Sequence, residues 1–168
     1  MANTTFSGPI RSESTIKTIS KDATSGAITE VTTLGGAPVS LSDGDVTLTN
    51  ATHSGRVLLV PDGGQDNTYT LPAPIAGSMF RFVYAGGAAD ATDALIITPG
   101  NTNFYIGGIT HLDTNADNVT VFSNGSSNSS VQLNVPQAFD ITIMGLNTTN
   151  YQIFGTVTST TVPAFADQ

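Results

Sequence analysis

The chain has 168 residues, 39% of them hydrophobic and only 11% charged, with a net charge of −8 and no cysteine. Charged residues make up roughly 25% of an ordinary soluble domain, so solubility here falls to Asn, Thr, Ser and Gly and to the acidic excess. The five basic side chains (Arg11, Lys17, Lys21, Arg56, Arg81) are too few for a nucleic-acid backbone or an anionic membrane surface, and the lack of cysteine excludes thiolate chemistry and a disulfide framework.

Residues 1–40 read as an extended N-terminal arm. They hold three of the basic residues, balanced by Glu13, Asp22 and Glu30, and their apolar residues are sparse. Phe6, Ile10, Ile16, Ile19, Ile28, Val31 and Leu34 cannot build a core at that spacing. They suit an arm anchored on a partner. "TSGA" and "LGGAP" interrupt it. The opening "MANTTFSGPIRSES" lacks the charged start and apolar centre of a signal peptide, which predicts synthesis in a cytoplasm.

From residue 41 the pattern is β. "DVTLTN" (45–50) alternates, and a single helical turn fits 49–54 or 88–93. "RVLLV" (56–60) and "TYTL" (68–71) flank "PDGGQDN", where Pro and the Gly pair are strong turn formers, so 56–71 predicts a hairpin. "LPAPIAGS" then stiffens a corner, and "MFRFVYA" (79–85) puts Phe80 and Phe82 on one face and Arg81 and Val83 on the other. "ALIIT" (94–98), "NFYI" (103–106), "NVTVF" (118–122) and "VQLNV" (131–135) follow, separated by polar turns. "FDITIMG" (139–145) alternates Phe139, Ile141 and Ile143 against Asp140, Thr142 and Met144, and "YQIFGTV" (151–157) is the last strand. Residues 159–168 read as a C-terminal extension. The fold class is therefore all-β: one sandwich, jelly-roll-like or barrel domain over 41–158 behind the arm. There is no exact solenoid repeat, only a faint echo of "VTLTNATHSGRVLLV" in later strand–loop–strand units.

Little in the chain carries chemistry. His53 and His111 are isolated and read as surface or turn residues rather than zinc ligands. "DTNADN" (113–118) gives Asp113, Asn115 and Asp117 the first spacings of a calcium loop. However, Asn118 stands where that loop needs Gly and Asn124 where it needs Glu, so a solvated β-loop is the better reading. No G-x-S-x-G elbow is present, and the Gly-Gly pairs precede no phosphate-binding helix. The aromatics Phe80, Phe82, Tyr84, Phe104, Tyr105, Phe122, Tyr151 and Phe154 sit at strand spacing, where core is the commoner role, although exposed members could line a glycan groove. No enzyme activity and no cofactor is predicted.

The stretch from Leu48 to Tyr84 runs "LTNATHSGRVLLV", a glycine-rich turn, then "YTLPAPIAGSMFRFVYA". It resembles a unit recurring in small structural proteins of tailed bacteriophages. "TTFSGPIRSES" resembles the start of head proteins from marine tailed phages, and the two stretches together span about half of the chain. The resemblance implies a capsid decoration (cement) protein. Such a protein sits on the outer surface of the virion head, commonly as a homotrimer near three-fold positions, and locks neighbouring copies of the major capsid protein together. Under that expectation the arm residues Phe6, Ile10, Arg11, Ile16 and Ile19 are the candidate capsid contacts, and Arg81 is a candidate for an inter-subunit ion pair. The alternative is a head or tail fibre protein binding host-surface glycans through exposed aromatics and loop acids, with calcium at Asp113 and Asp117.

Overall fold

The computed structural model describes residues 18–31, 37–87, 92–113 and 118–168. The chain divides into two units, Met1–Gly36 and Ala37–Gln168. In the first, β1 (Thr18–Lys21) and β2 (Ile28–Val31) pair antiparallel. Asp22 closes the turn between them: its Oδ1 accepts from the Thr24 N–H at 2.9 Å, the Ser25 N–H at 2.6 Å and the Ser25 hydroxyl at 2.8 Å. The backbone bond from Ser25 is the largest of the contacts holding the Asp22 carboxyl below its usual range. Over these residues the chain is not the extended arm that composition suggested. "TSGA", read as an interruption, is a turn in which Gly26 takes a φ of 71°.

The second unit is a sandwich of two packed sheets, not a barrel. Its strands are β3 (Val39–Ser40), β4 (Val46–Thr47), β5 (Arg56–Val60), β6 (Asn67–Thr70), β7 (Met79–Tyr84), β8 (Ala94–Ile97) and β9 (Phe104–Asp113). They continue with β10 (Val119–Phe122), β11 (Ser130–Leu133), β12 (Ala138–Gly145), β13 (Asn150–Ser159) and β14 (Ala164–Ala166). One sheet has the order β10-β9-β13-β12-β7-β5-β3 and the other β14-β11-β8-β6-β4. The helical turn expected at 49–54 is α1 (Asn50–His53), capped by the Thr49 hydroxyl, which accepts from the Thr52 N–H at 3.3 Å.

From β3 to β8 the chain alternates between the two sheets. Within each sheet the successive strands lie parallel: β3, β5 and β7 in one, β4, β6 and β8 in the other. Parallel neighbours need a crossover, and here a strand of the opposite sheet supplies it. The expected hairpin over 56–71 is therefore absent, since β5 and β6 belong to different sheets. "PDGGQDN" carries the chain across the sandwich. Asp43, Asp66 and Asp93 hold equivalent positions in three successive coils, as the registers Val46↔Tyr69 and Asn67↔Ala94 require. Each carboxylate ties one coil to a neighbouring segment: Asp43 Oδ2 accepts from the Gly64 N–H at 3.1 Å, Asp66 Oδ1 from the Asp93 N–H at 2.9 Å, and Asp93 from Gln132 Nε2 at 2.6 Å and the Val135 N–H at 2.9 Å.

The C-terminal half closes the sandwich in mainly antiparallel fashion. β12 inserts between β7 and β13, and β13 runs parallel to β9 over ten residue pairs. β14 pairs with β11, and Gln168 Nε2 donates to the carbonyls of Thr98 and Ser129 at 2.9 Å each. The last ten residues, read from sequence as an extension, thus complete an edge of the five-stranded sheet. Phe80, Phe82, Ile141, Ile143 and Ile153 of one sheet, with Tyr69, Ile96, Val131 and Leu133 of the other, are buried between the sheets. Truncating a residue such as Phe82 to Ala would cost about 3–5 kcal/mol. The buried Tyr105 and Tyr151 hydroxyls donate to the Ile96 carbonyl (3.2 Å) and the Pro72 carbonyl (2.8 Å). Desolvation raises both phenol pKa values, so they remain protonated donors.

Candidate functional site

The alternation of β7 and β12 that buries Phe80, Phe82, Phe139, Ile141 and Ile143 turns Arg81, Asp140, Thr142 and Met144 to the outer face of the seven-stranded sheet. Arg81 faces Thr142 across the ladder and reaches diagonally to Asp140. The contact is bidentate: Nε donates to Oδ1 at 2.8 Å and Nη2 to Oδ2. Both side chains are about half exposed, at 48% and 45%. The hydrogen bond from Arg81 is the main cause holding the Asp140 carboxyl below its usual range, and the same bond raises the Arg81 guanidinium. Asp140 is thus a fixed anion. It is not poised as a proton donor near neutral pH.

The pair forms one wall of an open groove of about 530 Å³ lined by Met79, Arg81, Asp140, Thr142, Phe154, Gly155 and Thr156. Phe154 lies across from Thr142 on one side and Gly108 on the other, and Gly108 pairs with Phe122 of β10. A side chain at Gly108 would run into the Phe122 ring. The absence of one lets that ring lie over bare backbone, 69% exposed, with Phe154 beyond it at 48%. Ile106 and Leu112 of β9 add further exposed apolar surface to the same sheet. This is an apolar face with one oriented ion pair.

The candidate residues from sequence fall in separate places. Phe6, Ile10, Arg11 and Ile16 lie outside the described residues, and Ile19 is in β1, across from Glu30. Arg81, a candidate for an inter-subunit ion pair, meets a carboxylate of its own chain, and nothing local announces Asp140, 59 residues away. Asp113 ends β9 and its N–H meets Asn118 Oδ1 at 3.1 Å, while Asp117 lies outside the described residues. Among the described residues no three His, Cys, Asp or Glu side chains are placed to hold a metal. His53 is in α1, where its Nδ1 accepts from the Thr49 N–H at 3.0 Å. His111 departs from the surface role expected of it: it is fully buried in β9. Its Nε2 lies 3.1 Å from the Ser159 carbonyl and 3.0 Å from the Ser159 hydroxyl, which itself donates to the Thr161 carbonyl. Nε2–H is therefore the donor, and the partner is again distant in sequence. Of the aromatics, Phe80, Phe82, Tyr105 and Tyr151 are core, and Phe122 and Phe154 are the exposed ones. No family model matches the chain, and no curated protein matches its sequence.

Proposed function

We propose that this is a non-enzymatic structural protein of a tailed-phage virion that binds the outside of the head and stabilises the lattice of the major capsid protein. The phage resemblance of the Leu48–Tyr84 stretch supports the phage assignment. The observation that carries the binding role is the outer face of the seven-stranded sheet, where Phe154 and Met79 line the groove beside the Arg81–Asp140 pair and Phe122 stays exposed farther along the same face, on the edge strand. Contiguous exposed apolar surface rimmed by polar groups marks an interaction site. The division after Gly36 suits a separate anchoring unit, with Phe6, Ile10, Arg11, Ile16 and Ile19 as capsid contacts. Three copies about an axis multiply weak anchor contacts through effective concentration.

The test is co-sedimentation of purified protein with expanded heads. The described core lies wholly in the second unit, so removing residues 1–36 should leave a folded sandwich by circular dichroism that no longer sediments with heads. Sedimentation of the truncated chain at the full-length level would reject the anchoring role. A second reading, fibre-type glycan binding, draws on the two exposed phenylalanines beside an oriented ion pair. It predicts glycan-array signals that Phe154→Ala removes.

A further inference from the structure

Among the described residues the sandwich has four sheet edges, and three of them are blunted. β3 and β4 are two residues long, with Asp43 and Asp45 just before β4. β14 is three residues long and follows Pro163. Short strands, charge and proline are the usual devices that stop an edge from templating another strand. β10 is the least blunted of the four: although it is only four residues long and follows Asp117 by two positions, its residues Val-Thr-Val-Phe are uncharged, strongly β-forming and free of proline, and among the described residues it pairs only with β9 and lies near β14.

The polarity of that edge follows from one bond. Ser123 N–H donates to the Gly107 carbonyl at 2.9 Å. By strand alternation Val119 and Val121 also turn their backbone groups to β9, and Thr120 and Phe122 turn theirs outward. Val119 pairs with the buried His111 and lies on the inner side of the sheet, yet it remains 42% exposed.

We propose that β10 pairs antiparallel with β10 of a second copy across a two-fold axis at Thr120, joining the two seven-stranded sheets. This register is self-complementary. Thr120 meets Thr120 of the other copy with both outward hydrogen bonds exchanged, and Phe122 meets Asn118. Val119 meets Val121 on the inner side, which covers the exposed valine. Side-chain alternation permits it, because residues whose numbers sum to an even value share a face. The absence of charge matters in a chain with a net charge of −8, since copies that repel elsewhere meet here without like charges in the strand. A two-fold contact is isologous and closes at two copies. It is therefore distinct from a three-fold arrangement and independent of the capsid reading.

The chain has no cysteine, so a single introduced thiol reports the contact. In the full-length protein, Thr120→Cys places two thiols within disulfide reach across the axis, and it should cross-link under mild oxidation far faster than Thr148→Cys, an exposed turn position. Sedimentation velocity over a dilution series should show a self-association that Thr120→Lys abolishes with the circular dichroism spectrum unchanged. An association state that Thr120→Lys leaves unaltered, or a cross-linking rate equal to that of Thr148→Cys, overturns the proposal. A monomeric chain whose Thr120→Lys variant loses head binding assigns the edge to a strand of the capsid subunit, and also overturns self-pairing.

Discussion

At the scale of single residues, the Arg81–Asp140 pair is the most directly testable contact. Its geometry is the favourable bidentate one, but both partners are about half exposed, so solvent and salt weaken it. A double-mutant cycle with Arg81→Ala and Asp140→Ala should give a coupling of about 0.5–1 kcal/mol that shrinks in high salt. The pH dependence has a definite sign. The Asp140 pKa is depressed in the folded state, so its contribution is present above the unfolded carboxyl value of about 3.9 and disappears as pH falls through the lower folded value. Arg81 stays charged throughout that window. The stability gap between wild type and Asp140→Asn should therefore be flat near neutrality and close below about pH 4; a gap that persists at lower pH would contradict the assignment. Gly155 makes a sharper prediction. Its φ is 150°, and a Cβ would lie 2.2 Å from the Asp140 carbonyl oxygen. Gly155→Ala should cost about 3 kcal/mol or more, read as a lower denaturant midpoint, because the neighbouring strand backbone cannot yield.

At the scale of elements, alternation was legible and connectivity was not. The inward and outward sets of β7 and β12 are as "MFRFVYA" and "FDITIMG" imply, because a half-buried strand has a period of two. The turn chemistry of "PDGGQDN" was also legible, but Pro and Gly signal a change of direction without saying into which sheet. Its seven residues were the available hint, since hairpin loops are usually two to five residues long. A crossing between sheets needs that reach. The repeat hidden in the coils was diluted because only the aspartates and the inward residues recur, at unequal spacing. Those aspartates have a measurable role. Asp93→Ala removes the acceptor for Gln132 Nε2 and the Val135 N–H and should destabilise by about 1–3 kcal/mol. An unchanged unfolding midpoint would mean that the coil tie contributes nothing. The groove was less legible than the strands. Alternation with Tyr151 and Ile153 turns Phe154 outward, and alternation with Val119 and Val121 turns Phe122 outward, but the pairings through Gly108 that bring the two rings to one face are not encoded locally.

At the scale of the whole molecule, the unit Ala37–Gln168 is a two-sheet sandwich and the unit Met1–Gly36 is separate from it. Among the described residues, the exposed chemistry of the sandwich includes an apolar sheet face with an ion pair and the uncharged edge strand β10. The proposed position on the outside of a phage head is tested by a cryo-EM reconstruction of virions containing the chain. Density for the two-sheet sandwich on the outer capsid surface, contacting adjacent major capsid subunits, is the expected result. A head surface without that density, with the chain found in a fibre or absent from the particle, would contradict it.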